Sequence, residues 1–64
     1  MELRFILDTS PDPEKRPVYI INSDAVPNEG DAIQIDEKNW FVKRKTFIFK
    51  GMDYRVELFL YPNN

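Results

Sequence analysis

The chain has 64 residues with no cysteine and no histidine; 14% are aromatic and 31% charged, and the formal net charge is −2. That length suits a single domain over 1–64 and excludes a large core, because a chain this short buries only about 60% of the surface its unfolded form exposes. Without cysteine there is no disulfide and no thiolate metal site, and without histidine the usual transition-metal centres lose their commonest ligand. Stability is therefore expected to rest on an aromatic-rich core and on self-association.

No apolar run approaches the roughly eighteen residues a membrane span requires, and the opening Met1–Asp8 is too short and too charged for a secretory signal. A cytoplasmic location is expected. Charge is unevenly spread: residues 1–37 carry nine acidic and three basic side chains, and residues 38–55 carry six basic and one acidic. Such a distribution gives the whole molecule no general attraction to polyanions and concentrates basicity in one segment.

In chain order, Glu2–Asp8 alternates with Leu3, Phe5 and Leu7 on one side, the pattern of a half-buried strand. Residues 9–17 hold three prolines and several charges, a composition that neither helix nor sheet interior tolerates, and read as an exposed loop. Val18–Ile21 is a short β-branched and aromatic run expected to pair antiparallel with the first strand. Asn22-Ser23-Asp24 is placed to cap a single helical turn ahead of Pro27.

Val26–Asp31 carries the strongest turn chemistry, and it leads into a hairpin. Ile33 and Ile35 are expected inward, residues 36–39 are expected to form a four-residue polar loop, and Trp40 and Val42 begin the returning strand. The long segment 40–49 changes phase: Trp40 and Val42 share one side while Phe47 and Phe49 fall on the other. A β-bulge or a strong bend within Lys43-Arg44-Lys45 would bring both ends to the core. Gly51 is available for positive φ in the turn 50–53, and Tyr54–Tyr61 alternates with Tyr54, Val56, Leu58 and Leu60 inward.

Five short strands with turns every eight to fifteen residues predict an all-β fold. The expected architecture is a small, strongly bent antiparallel sheet closing into an SH3-like barrel of about five strands. The succession Pro27-x-x-Gly30-Asp31-x-Ile33-x-Ile35, then Trp40-x-Val42 and a final alternating strand, resembles a class of short uncharacterised bacterial and phage proteins. In that class a P-x-x-G-[DE] turn opens a hairpin of an SH3-like barrel. The resemblance covers roughly residues 26–61 and implies an architecture rather than an activity.

Nothing in the sequence assembles a catalytic constellation. Thr9, Ser10, Ser23 and Thr46 have no histidine to activate them, and Asp31, Asp36 and Glu37 lie at hairpin ends where water screens them. A non-enzymatic role without metal, cofactor or small-molecule substrate is expected. Two features point to partners. Phe41, Phe59 and Tyr61 lie opposite the core side of their strands, so either the 9–17 loop covers them or they form an aromatic protein interface, a homodimer included. Lys43, Arg44 and Lys45, with Arg55, resemble the basic and aromatic mixture that holds single-stranded nucleic acid. Equally, such a charge run protects a strand edge from aggregation. The reading preferred from sequence is a protein-interaction module; the alternative is nucleic-acid binding.

Overall fold

A computed structural model describes residues 1–63. Five strands form one sheet in the order β2-β1-β5-β4-β3: β1 Glu2–Leu7, β2 Val18–Asn22, β3 Ala32–Ile35, β4 Lys38–Lys50 and β5 Asp53–Pro62. The sheet curls into a half-barrel consistent with a small SH3-like barrel, and the described residues contain no α-helix. One expectation needs refinement: β1 and β5 run parallel, so the sheet is mixed rather than wholly antiparallel. The first and last strands thereby meet at the centre, joining the hairpin-like pair β1–β2 to the meander β3–β4–β5.

Leu3, Phe5 and Leu7 stand opposite Val56, Leu58 and Leu60 across that parallel pair. Trp40 and Val42 of β4 complete the set of eight buried residues, and Met1, Val26, Ile33 and Ile35 pack around it. Each such side chain contributes about 1.5–3 kcal/mol on burial. All eight had been expected to face inward from strand alternation alone. Across the sheet, Glu2 and Arg4 lie opposite Arg55 and Glu57, and Arg4–Glu2 and Arg55–Glu57 pair along their own strands at 2.7 and 3.2 Å. These half-exposed ion pairs give the outer face a charged, wetted surface and little stability.

The connections follow local chemistry. In the 9–17 loop, Asp12 accepts from the Glu14 N–H and caps a short 3-10 turn at Pro13–Lys15. Residues 22–24 do not start a helical turn; instead the Ser23 hydroxyl both accepts from the Ala25 N–H and donates to the Ala25 carbonyl, closing a local loop. The Ala25 N–H is the donor that a cap at Ser23 would have used, here bonded without a helix following. At Asn28–Asp31 the Asp31 N–H donates to the Asn28 carbonyl and the Asp31 carboxylate accepts from the Asn28 N–H. Gly30 has φ +88°, which the third residue of a type II turn needs.

The β3–β4 connection is tighter than expected. Ile35 pairs with Lys38, so the turn holds only Asp36 and Glu37, both at positive φ (49° and 68°). Lys38 and Asn39 therefore belong to β4, and the two-residue geometry is that of a type I′ hairpin. The β4–β5 turn has positive φ at Gly51 alone between the paired Lys50 and Asp53, the type II′ pattern.

Candidate functional site

The ladder between β4 and β5 slips by one residue between Val42 and Arg44, leaving Lys43 without a partner. This is the expected bulge. Beyond it, Lys45, Phe47 and Phe49 stand opposite Leu58, Val56 and Tyr54, so both ends of β4 do lie on the concave face. Phe47 and Phe49 are nevertheless not core: they are 48% and 73% exposed. The reason is topological. β3 pairs with β4 only from Lys38 to Phe41, and β1 reaches along β5 only to Arg55, so the distal part of the β4–β5 hairpin projects past its neighbours on both flanks. No strand closes over it.

On this projecting arm Phe49 stacks on Tyr54 with ring centroids 5.7 Å apart, and Met52 at the tip is fully exposed. The arm also has an unsatisfied edge. Because Lys50 and Asp53 close a two-residue hairpin, alternation directs the backbone groups of Arg44, Thr46 and Ile48 to β5 and those of Lys45, Phe47 and Phe49 away from it. Among the described residues no backbone group outside the strands bonds those three.

The sequence-nominated aromatics occupy the opposite, outer face. Phe41 packs against Tyr61 at 5.7 Å between centroids, and the Arg44 guanidinium carbon lies 4.4 Å from the centroid of the Phe59 ring. Phe41 and Phe59 are half-buried and Tyr61 is exposed. Asp8 holds Arg16 at 3.4 Å and faces Lys43 at 3.9 Å, so the end of the 9–17 loop borders the cleft at Phe59 that Arg44 covers. The outer aromatics are thus less exposed than Phe47 and Phe49 of the distal arm.

The nominated cations are not brought together. Lys43 and Arg44 lie by Phe59 on the outer side, whereas Lys45 faces the concave side and donates to the Asn28 side-chain carbonyl at 2.7 Å. Arg55 is four residues along β5 from Phe59, about 13 Å at the usual strand rise, and is paired with Glu57. Asp36 accepts from the Tyr19 hydroxyl at 3.3 Å and Asp31 is engaged in its turn. No group of three or more His, Cys, Asp or Glu among the described residues could hold a metal ion.

Strand order alone does not reveal the second exposed surface. Val18–Ile21 pairs antiparallel with β1 as expected, and all five residues of β2 are exposed, Ile20 to 58%. Tyr19 and Ile21 share the concave face with Phe5 and Leu3, and an apolar cleft of about 400 Å³ lies between them and Ile33, Ile35 and Pro27. No Cα of β2 comes within 8 Å of one in β3, so this seam leaves the barrel unclosed. Comparison with protein-family models, with curated proteins and with solved structures finds no match. No described helix is long and apolar enough to cross a membrane.

Proposed function

We propose that this protein is a non-catalytic interaction module that engages other proteins through the aromatic face and free edge of the β4–β5 arm. The observation that carries the reading is the combination at Lys45–Phe49: outward backbone groups, Phe47, Phe49 and Tyr54 exposed beside them, and cations at both ends of the segment. An extended strand added there gains main-chain bonds for affinity and aromatic contacts for selectivity. Arg44, Lys45 and Lys50 favour an added segment whose ends are acidic, and they disfavour basic ones.

Fluorescence anisotropy with two labelled peptides tests this reading. Both are extended eight-residue sequences of alternating valine and threonine, one flanked by aspartates and the other by lysines. The aspartate-flanked peptide is expected to bind, the lysine-flanked one to bind at least about tenfold more weakly, and Phe49→Ser to weaken the first further. Equal binding of the two peptides, or no effect of Phe49→Ser, would contradict the reading. A single-stranded oligonucleotide is the control for the alternative. The bulge divides the basic triplet between two faces, which does not favour a continuous phosphate track. Tighter binding of the oligonucleotide at the same salt concentration would reverse the preference.

A further inference from the structure

The strand β2 is an unprotected edge. Natural edges are blunted by charge, proline, bulges or a covering element, yet Val18-Tyr19-Ile20-Ile21-Asn22 has no charge, no proline and no covering strand. Its backbone polarity can be worked out from the ladder. The Ser23 N–H donates to the Met1 carbonyl and the Leu7 N–H to the Pro17 carbonyl, and the register between them is regular. Alternation then commits Tyr19 and Ile21 to β1 and turns the N–H and C=O groups of Val18, Ile20 and Asn22 toward the open edge.

We propose that this edge pairs with the same edge of a second copy, antiparallel, with the two-fold axis at Ile20. Three observations select that occupant and that register. First, among two-fold registers only the one centred on Ile20 uses all three outward residues, pairing Val18 with Asn22 of the copy, Ile20 with Ile20, and Asn22 with Val18. Each of these pairs exchanges two hydrogen bonds. Second, the side chains match: Ile20 meets Ile20 on the outer face, and Tyr19 meets Ile21 on the concave face beside the apolar seam. Third, the charges flanking β2 are opposite in sign. In this register Arg16, whose guanidinium is already held by Asp8 and the Ser10 carbonyl, falls opposite Asp24 of the copy at both ends, whereas a parallel pairing would set like charges side by side.

The free edge of β4 beyond its pairing with β3 fails the same test. Self-pairing of β4 about Phe47 would put Arg44 opposite Lys50 of the copy, two cations facing each other. The two edges therefore differ in kind: β2 is complementary to itself and β4 to an acid-flanked strand. The β2 pairing joins two half-barrels into one continuous sheet and leaves the β4–β5 arm of each copy free. It does not depend on the peptide-binding reading of that arm.

Two short strands bury less than a standard interface, so a dissociation constant on the order of 10–100 µM is expected. Sedimentation equilibrium should show the 7.6 kDa chain doubling in mass with concentration. Ile20→Lys, exposed in the monomer and placing like charges on the axis, should raise the constant about tenfold or more. Asp24→Lys, which sets a second cation opposite Arg16 of the copy, should weaken pairing. Amide exchange on the unaltered chain needs no variant: Val18, Ile20 and Asn22 should become slower to exchange as concentration rises, while Tyr19 and Ile21 stay unchanged. A monomer up to about 500 µM, roughly fivefold above the weakest expected constant, would overturn the proposal. So would a dimer indifferent to Ile20→Lys, or concentration-independent exchange at the three outward amides.

Discussion

Val42 and Arg44 occupy successive rungs of the β4–β5 ladder, opposite Leu60 and Phe59, and Lys43 between them has no rung of its own. That single extra residue decides which side every later side chain of β4 takes. It sends Arg44 onto the outer ring of Phe59 and the adjacent Lys45 to the concave side, and it gives Phe47 and Phe49 the same face as the core without a cover. A continuous ladder would have placed Arg44 beside the core and the two phenylalanines outside.

Removal of Lys43 from the chain should therefore leave the register intact. Val42 would still face Leu60 and Arg44 would still face Phe59, while the local bend is lost. Cross-strand nuclear Overhauser contacts between Phe47 and Val56 should persist in the deletion variant. Their replacement by contacts between Ile48 and Val56 would show that the ladder had reset and that Lys43 is not the bulged residue.

The core and the arm should respond oppositely to truncation. Leu58 is fully buried at the centre of the sheet, and Leu58→Ala should cost about 2–5 kcal/mol. A chain of this size has only about 3–10 kcal/mol in total, so the variant should lose a large fraction of its stability, read as a lowered midpoint in a urea titration followed by circular dichroism. Phe49→Ala, by contrast, should change stability by less than about 1 kcal/mol, because it removes little beyond the contact with Tyr54. Comparable losses at the two positions would mean that the arm packs against something.

At the β3–β4 turn, Glu37 adopts φ 68°, a conformation that opposes an L side chain by about 1–2 kcal/mol. Glu37→Gly should recover part of this, about 0.5–1 kcal/mol after the greater freedom of glycine in the unfolded chain is counted. Thermal unfolding should rise by several degrees. A fall in the midpoint would indicate that the Glu37 side chain makes a stabilising contact.

Gly30 supplies the converse case. A Cβ added there meets nothing within 4 Å, so the cost of Gly30→Ala arises from φ +88° alone and should be about 1–2 kcal/mol. Repacking variants of neighbouring side chains should not relieve it. Relief by any of them would show a steric component.

The sequence and the structure agree where a rule is local. Leu3, Phe5, Leu7, Val56, Leu58 and Leu60 are core because two clean alternations put them there, and the turns at Gly30 and Gly51 carry their glycines where positive φ is needed. The bulge was visible as a change of phase between Val42 and Phe47. Neighbour relations were not visible, because alternation assigns a face to a strand without assigning the strand beside it. The parallel β1–β5 pairing and the short reach of β3 therefore do not follow from pattern, and with them goes the exposure of Phe47 and Phe49. The pairing of Val18–Ile21 with β1 was legible, but the open outer edge of β2 was not, for the same reason. Asp36-Glu37 carries neither the Asn-Gly nor the Asp-Gly signature of a two-residue turn, so the tighter hairpin left no trace. Alternation marks Phe41, Phe59 and Tyr61 as outward because they lie opposite the core side of their strands, and it carries no sign that Phe47 and Phe49 stay uncovered on the concave face.

The measurement that bears most directly on the proposed role is an amide chemical-shift titration of the labelled protein with the aspartate-flanked peptide. Saturable shifts concentrated at Lys45, Phe47 and Phe49, with slowed hydrogen exchange at those three amides and not at Thr46 or Ile48, are the predicted result. Shifts confined to the outer face around Phe41, Phe59 and Tyr61, or no saturable shifts, would contradict it.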